Sequence, residues 1–218
     1  MDVSLATIVL WAVPVVFAIT LHEAAHGYVA KLFGDQTAWM LGRVTANPIK
    51  HIDPVGTILV PGTLVAIAAI THVPAFIFGW AKPVPVNFGN LRNPKRDMFW
   101  VAGAGPLANF LVAIGWGLML KFAAPGGTIS SSGLAEMASA GIQINLMLLA
   151  LNLLPILPLD GGRIAVSLLP RSIAMSYARL EPYGFMVVIL LLATGILSML
   201  MRPILRVAEY FLMLILGL

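Results

Sequence analysis

Long apolar runs, joined by short polar connectors, follow one another along the whole chain. The longer runs approach the roughly 20 residues that an α-helix needs to cross a bilayer. The pattern therefore predicts an all-α polytopic membrane protein with about five to six membrane helices in a single domain, residues 1–218. The helices are expected at about 4–33, 98–122, 134–157, 183–201 and 203–218.

Two segments between the first and second of these helices carry weaker patterns. The stretch "WMLGRVTANP" could form a short β-hairpin around Gly42, although a plain connector accounts for it equally well. The apolar run 55–80 is interrupted by Pro61-Gly62 and by Pro74, and proline disrupts a continuous helix. This run either crosses the membrane or enters it and bends back as a re-entrant segment.

The composition supports the membrane class. Hydrophobic residues make up 60% of the chain and charged residues only 10%, whereas a soluble domain typically has about 25% charged residues. There is no cysteine, which excludes disulfides and thiolate metal sites. In so apolar a chain, the basic residues behind the formal net charge of +4 are expected to set the membrane topology rather than to bind a polyanion, so no nucleic-acid partner is expected.

The first apolar run contains the sequence "HEAAH", which places His22, Glu23 and His26 on one helix. Ionisable residues inside a membrane helix are costly and usually functional. Histidines four residues apart project from one helix face, where both can bind one zinc ion with the glutamate as a base. A catalytic zinc needs a third protein ligand. Without cysteine, this ligand must be an aspartate, a glutamate or a histidine.

Asp160 is the candidate for the third ligand. It is the only carboxylate between Glu136 and Glu181, and it follows a long apolar run. Pro155 and Pro158 break the helix before it, and irregular backbone at membrane depth is tolerated where it is buried in protein or lines a cavity. The alternative is that Asp160 only caps the next helix.

Three motifs together resemble the site-2 protease family of intramembrane zinc metalloproteases: "HEAAH", "AGPLANF" and "NLLPILPLDGGR". The short connectors resemble the compact form of the family, which has no PDZ or CBS domain. The resemblance implies a catalytic core of the helices at 4–33, 98–122 and 134–157. It also implies one Zn²⁺ per chain held by His22, His26 and Asp160, with Glu23 as the catalytic carboxylate.

Three further residues in these motifs are candidates for roles at the site. Asn152 matches the family's asparagine near the site and would bind the substrate backbone or the developing oxyanion, although a hydrogen bond between helices is an alternative. Gly105 belongs to a small face for close helix packing. Asn109 could donate a hydrogen bond to a metal ligand or simply join two helices.

A shared metal also constrains the topology, because the C-terminal ends of the helices at 4–33 and 134–157 must then meet at one depth. The two helices must run parallel, so an odd number of membrane crossings must lie between them. The helix at 98–122 is one crossing, and a second crossing by 55–80 would make the number even. We therefore expect 55–80 to be re-entrant. Ten basic residues then share one side with the site, and three lie opposite; this excess marks the cytoplasmic side. The first group is Lys31, Arg43, Lys50, Lys82, Arg92, Lys95, Arg96, Arg163, Arg171 and Arg179, and the second is Lys121, Arg202 and Arg206.

The predicted function is hydrolysis of peptide bonds in or near the transmembrane segments of single-pass membrane proteins. The expected location is a prokaryotic or organellar cell membrane, with the lipid bilayer as surroundings and the active site towards the cytoplasm. Two alternatives stay open: a membrane metal transporter, and a metal-binding scaffold without protease activity. Glu23 separates them, because transport does not require a carboxylate beside the first ligand.

Overall fold

The computed structural model describes residues 5–60, 62–63, 66–67, 82–124, 127, 129 and 131–217. These residues form α-helices and shorter helical turns, and no strand occurs among them. The helices are α1 Leu5–Leu32, α2 Thr37–Met40, α3 Pro94–Ala123, α4 Ser132–Asn152, α5 Asp160–Leu168, α6 Arg171–Ala178, α7 Glu181–Ala193 and α8 Ile196–Leu216. The helical turns are Pro48–His51, Pro54–Leu59 and Phe88–Asn90.

Helix α3 is central to the arrangement of the described residues, because it packs against α1, α4, α5 and α8. Small residues allow this close approach. A Cβ atom added at Gly141 of α4 would lie 2.3 Å from the Trp116 ring of α3, and one added at Gly117 would lie 2.4 Å from Leu216 of α8. The three predicted core helices thus pack together. Each begins and ends within about five residues of its expected bounds.

The exterior of the helices fits a membrane environment. Within the described part of the chain, α3 and α4 are long and apolar enough to cross a membrane, and α6 with α7 could form a third span bent by 66°. Large apolar side chains of α7 and α8 face outwards, among them Met186 and Leu214, each 63% exposed. The predicted count of five to six membrane helices stays a prediction.

The β-hairpin predicted around Gly42 is wrong, because residues 37–47 form no strand. Gly42, with φ +62°, follows α2 and closes it instead. Its N–H donates to the Trp39 carbonyl, and the Arg43 N–H donates to the Ala38 carbonyl at 2.9 Å. These two bonds are the Schellman pattern that ends a helix at a left-handed glycine. Gly34 ends α1 in the same way, as expected, with φ +113°.

Two other helix bounds differ from the prediction. Helix α4 ends at Asn152 rather than near 157, because Pro155 lacks an N–H and the residue before a proline avoids helical angles. The predicted break at Pro203 occurs instead at Gly195, whose φ of +74° turns the chain between α7 and α8. Pro203 lies inside α8.

Most of the predicted re-entrant segment 55–80 lies outside the described residues. Its start is described: Asp53 caps the turn Pro54–Leu59 by accepting hydrogen bonds from the Val55 and Gly56 amides. The chain on its two sides is also described. The N–H of Lys82 donates to the His51 carbonyl at 2.9 Å, so the residues flanking this segment are direct neighbours.

Candidate metal centre

The C-terminal half of α1 carries both candidate histidine ligands on one face. His22 and His26 are one turn apart, and their Nε2 atoms lie 3.1 Å from each other. Their rings meet edge to face at a centroid separation of 4.6 Å. The helix therefore presents two imidazole nitrogens to one point, as the spacing predicts.

The carboxylate of Asp160 reaches this point from the other side. Its Oδ2 atom lies 3.3 Å from the Nε2 of His22 and 3.3 Å from the Nε2 of His26. Asp160 is the first residue of α5, and the N-cap position itself is occupied by Leu159. The geometry thus favours the ligand interpretation of Asp160 over the capping interpretation.

The three atoms fit the coordination sphere of zinc. In a tetrahedral site with bonds of about 2.0–2.1 Å, neighbouring ligand atoms are about 3.3 Å apart. The observed separations are 3.1, 3.3 and 3.3 Å. Asp160 Oδ2 is also buried without a hydrogen-bond partner, which is unusual for a carboxylate oxygen. Among the described residues, His22, His26 and Asp160 form a group of side chains that could hold a metal ion.

Helix α3 sets the tautomer of both imidazoles. The Nδ1 of His26 lies 2.7 Å from the Val101 carbonyl, so this nitrogen must carry the proton. The Nδ1 of His22 lies 2.7 Å from Asn109 Oδ1. In both rings the donated proton on Nδ1 leaves a lone pair on Nε2 for a metal, and the hydrogen bond raises the basicity of the ligand.

Asn109 is fully buried and fixed in one orientation. Its amide nitrogen donates to the carbonyl of Ala18 at 3.2 Å and to Asn145 Oδ1 at 3.0 Å. Its oxygen is thereby turned towards His22, so Asn109 accepts a hydrogen bond from the imidazole rather than donating one. It joins helices as well, since its partners come from α1 and α4.

Gly105 provides the space in which the imidazoles lie. A Cβ atom at this position would be 2.4 Å from the Nε2 of His26 and 2.7 Å from that of His22. Real Cβ atoms do not approach so closely. Gly105 is therefore a packing residue of the site, and any side chain here would push the nitrogens out of position.

Two more glycines, Gly161 and Gly162, bring Asp160 to the histidines. A Cβ at Gly161 would lie 2.4 Å from the carbonyl oxygens of Leu153 and Leu154, and one at Gly162 would lie 2.5 Å from the Leu157 amide. The connector between α4 and α5 thus packs directly on the first turn of α5. This close backbone approach places the carboxylate near α1.

Glu23 and Asn152 line the same cleft, which has a volume of about 390 Å³. The Oε2 atom of Glu23 accepts a hydrogen bond from the Val84 N–H at 2.7 Å. The Nδ2 atom of Asn152 donates to the Leu148 carbonyl one turn earlier in α4, at 3.1 Å. The structure therefore brings the predicted catalytic carboxylate and the predicted substrate-binding amide to one cavity with the metal cluster.

Sequence reasoning missed two contributors to this cleft. Arg163 lines it, forms an ion pair with Glu181 at 3.0 Å and lies 5.1 Å from the centre of the Phe88 ring. The sequence signal that could have identified Arg163 is its position in the motif "DGGR", which begins with the candidate ligand Asp160. The second contributor is the backbone amide of Val84. The sequence does not indicate it, because every residue except proline carries such an amide.

Comparison with known proteins identifies the family. The chain is 41% identical over 198 residues to "Putative zinc metalloprotease YwhC" of Bacillus subtilis, covering 89% of this chain and 84% of that protein. It is 30% identical over 183 residues to "Putative zinc metalloprotease Rip2" of Mycolicibacterium smegmatis, covering 83% of this chain and 65% of that protein. Residues 115–195 match the model of Peptidase family M50.

The chain belongs to peptidase family M50, the site-2 protease family. No solved structure matches it. Members of M50 are zinc-dependent, so the donor set described above and the cofactor of the family agree. The chain is accordingly a membrane zinc metalloprotease by family, and the family resemblance that the sequence suggested is confirmed.

Proposed function

We propose that this M50 protein is an endopeptidase that cleaves peptide bonds in or near the membrane-spanning segments of single-pass membrane proteins. The observation that carries the proposal is the triangle of His22, His26 and Asp160 atoms, with zinc-like separations, in a cleft shared with Glu23. His22, His26 and Asp160 would hold one zinc ion. Family membership favours this peptidase over the metal transporter that the sequence left open.

The side chains divide the chemistry among themselves. Bound zinc supplies Lewis acidity, which makes water more acidic and a peptide carbonyl more electrophilic. Glu23 takes a proton from the attacking water and passes it to the leaving nitrogen of the cleaved bond. Asn152, on the wall of the cleft, holds the substrate backbone or the developing oxyanion through its amide. The imidazoles keep their positions through Asn109 and Val101.

We further propose that the protein crosses the membrane several times and that the cleft opens towards the cytoplasm. The contact between Lys82 and His51 supports this topology, since a single crossing between them would separate them by about 30 Å of hydrocarbon. Lys31, Arg43 and Lys50 then share one side with the basic residues from Lys82 to Arg96, as the positive-inside rule predicts.

The test is cleavage by purified protein in lipid vesicles that contain a helical single-pass substrate. Glu23→Gln should bind one zinc per chain but lose cleavage by about 100-fold or more, the contribution of a positioned base. Glu209→Gln makes the same chemical change on α8, away from the cleft, and should retain wild-type activity. Cleavage that survives Glu23→Gln, or zinc-dependent ion transport without cleavage, would refute the proposal.

A further inference from the structure

An extended strip lines the cleft beside Glu23. It consists of residues 82–85, "KPVP", and we refer to it as the KPVP strip. Pro83 and Pro85 have no N–H, and each restricts the residue before it to extended angles. Val84 is consequently a single amide donor between two prolines, held in an extended conformation. Its N–H donates to Glu23 Oε2 at 2.7 Å.

The Val84 side chain fixes the register of the strip on α1. Val84 is only 7% exposed. A Cβ atom at Gly27 would lie 2.9 Å from Val84 Cγ1 and 2.8 Å from Val44 Cγ2. The two valines therefore occupy the space that Gly27 leaves open, one turn beyond Glu23. This packing sets the distance between the Val84 amide and the carboxylate.

Arg43 secures the strip from outside. Its Nη2 atom donates to the carbonyl of Lys82 at 2.9 Å and to that of Pro83 at 3.3 Å. The guanidinium thus bonds the two peptide groups directly before Val84. Arg43 itself follows the glycine that closes α2, and its own N–H is bonded to Ala38. The segment "GRV", which the sequence pattern placed in a possible hairpin, therefore serves as an anchor for the strip.

We propose that Arg43 is a positioning residue for Glu23, acting through the KPVP strip. By holding the carbonyls of Lys82 and Pro83, Arg43 keeps the Val84 N–H on one carboxylate oxygen and leaves the other oxygen to accept a proton. The proposal depends on the catalytic role proposed above for Glu23. Beyond that role, the proposal states that a backbone amide and a distant guanidinium set the orientation of the Glu23 carboxylate.

The kinetic test compares Arg43→Ala and Arg43→Lys in the vesicle assay. Misplacing a catalytic group by about 1 Å can reduce the rate by about 100-fold, so we expect Arg43→Ala to lower kcat by about tenfold to 100-fold. KM should change by less than about threefold and zinc content should stay at one per chain, because Arg43 lies outside the lining of the cleft and its side chain bonds to Lys82 and Pro83 rather than to a candidate metal ligand. Arg43→Lys keeps a donor for one carbonyl and should recover most of kcat. An unchanged kcat, or a loss that appears as zinc depletion, would overturn the proposal.

Hydrogen–deuterium exchange gives a readout that needs no activity. In the wild type, the peptide containing residues 82–87 should show slow exchange at the Val84 amide. Exchange should be at least about tenfold faster in Arg43→Ala, and it should also accelerate in Glu23→Ala, while peptides from α3 stay protected. Equal exchange in Arg43→Ala and the wild type would show that Arg43 does not hold the strip.

A second test perturbs the packing of the strip without replacing Arg43, and it pairs one variant with a matched control. Gly27→Ala should displace Val84 and reproduce the kcat loss of Arg43→Ala, whereas Gly115→Ala, whose Cβ meets nothing within 4 Å, should behave as the wild type. A wild-type kcat in Gly27→Ala would contradict the proposal. If Glu23→Gln retained cleavage, the proposed function would fail, while the exchange data would still decide whether Arg43 anchors the strip.

Discussion

Replacing Gly105 by alanine tests the packing of the metal site most severely. The new Cβ would lie 2.4 Å from the Nε2 of His26 and 2.7 Å from that of His22, where ordinary contact begins at 3.4 Å. The imidazoles would have to move by about 1 Å and about 0.7 Å, whereas zinc tolerates deviations of about 0.2 Å in bond length. Moving α3 instead brings no relief, because α3 also carries Val101 and Asn109.

We therefore expect Gly105→Ala to weaken zinc binding by about 100-fold or more. This exceeds the loss of about 10–100-fold that is typical when a hydrogen-bond partner of a metal ligand is mutated. Competition with a chromogenic chelator in detergent measures this affinity, and the vesicle assay should show a parallel loss of cleavage. Gly103→Ala is the matched control in the same helix, since its Cβ meets nothing within 4 Å. Wild-type zinc affinity in Gly105→Ala would refute the reasoning.

Three further predictions concern residues around the site. Asn109→Ala should weaken zinc binding by about 10–100-fold, measured by the same titration, whereas Asn145→Ala, one hydrogen bond further away, should retain near wild-type affinity. Gly184→Ala should lower zinc affinity too, because its Cβ would overlap the Leu157 carbonyl in the connector before Asp160, at 1.5 Å; wild-type affinity would contradict this. Asp35→Asn should destabilise the protein by about 2–4 kcal/mol in chemical denaturation, because the buried carboxylate accepts hydrogen bonds from the amides of residues 37 and 87. Burial alone would raise the pKa of Asp35, but these bonds hold it below the usual 3.8. The stabilisation by the Asp35 carboxylate is thus complete above about pH 4 and is lost as the pH falls through the lowered pKa. The free energy of unfolding of Asp35→Asn should therefore fall less steeply with acid than that of the wild type. An equal acid dependence in the two proteins would count against this role.

The sequence predicted the parts of the site that follow from local periodicity or from a distinctive motif. The His22 and His26 spacing needs only helix geometry to place both rings on one face. The pairing with Asp160, more than 130 residues away, does not follow from spacing and came from the chemistry of zinc and the resemblance to a family. The structure brings these atoms together, which no local pattern could have required.

Other features escaped sequence reasoning for identifiable physical reasons. Gly42 fits both a hairpin turn and the end of a short helix, and only the hydrogen bonds of its neighbours distinguish them. The break between α7 and α8 occurs at Gly195 rather than at Pro203. A glycine with left-handed angles turns the chain there, whereas Pro203 is accommodated inside α8. The partners of His26 and Glu23 are backbone groups of Val101 and Val84, which the sequence does not specify.

Zinc K-edge X-ray absorption on the purified protein tests the central claim most directly. We predict one zinc per chain with two imidazole nitrogens and at least one carboxylate oxygen at about 2.0–2.2 Å. Asp160→Ala should lose the carboxylate contribution and most of the bound metal. Zinc absent from the wild-type protein, or bound without imidazole, would contradict the assignment, as would a spectrum that Asp160→Ala leaves unchanged.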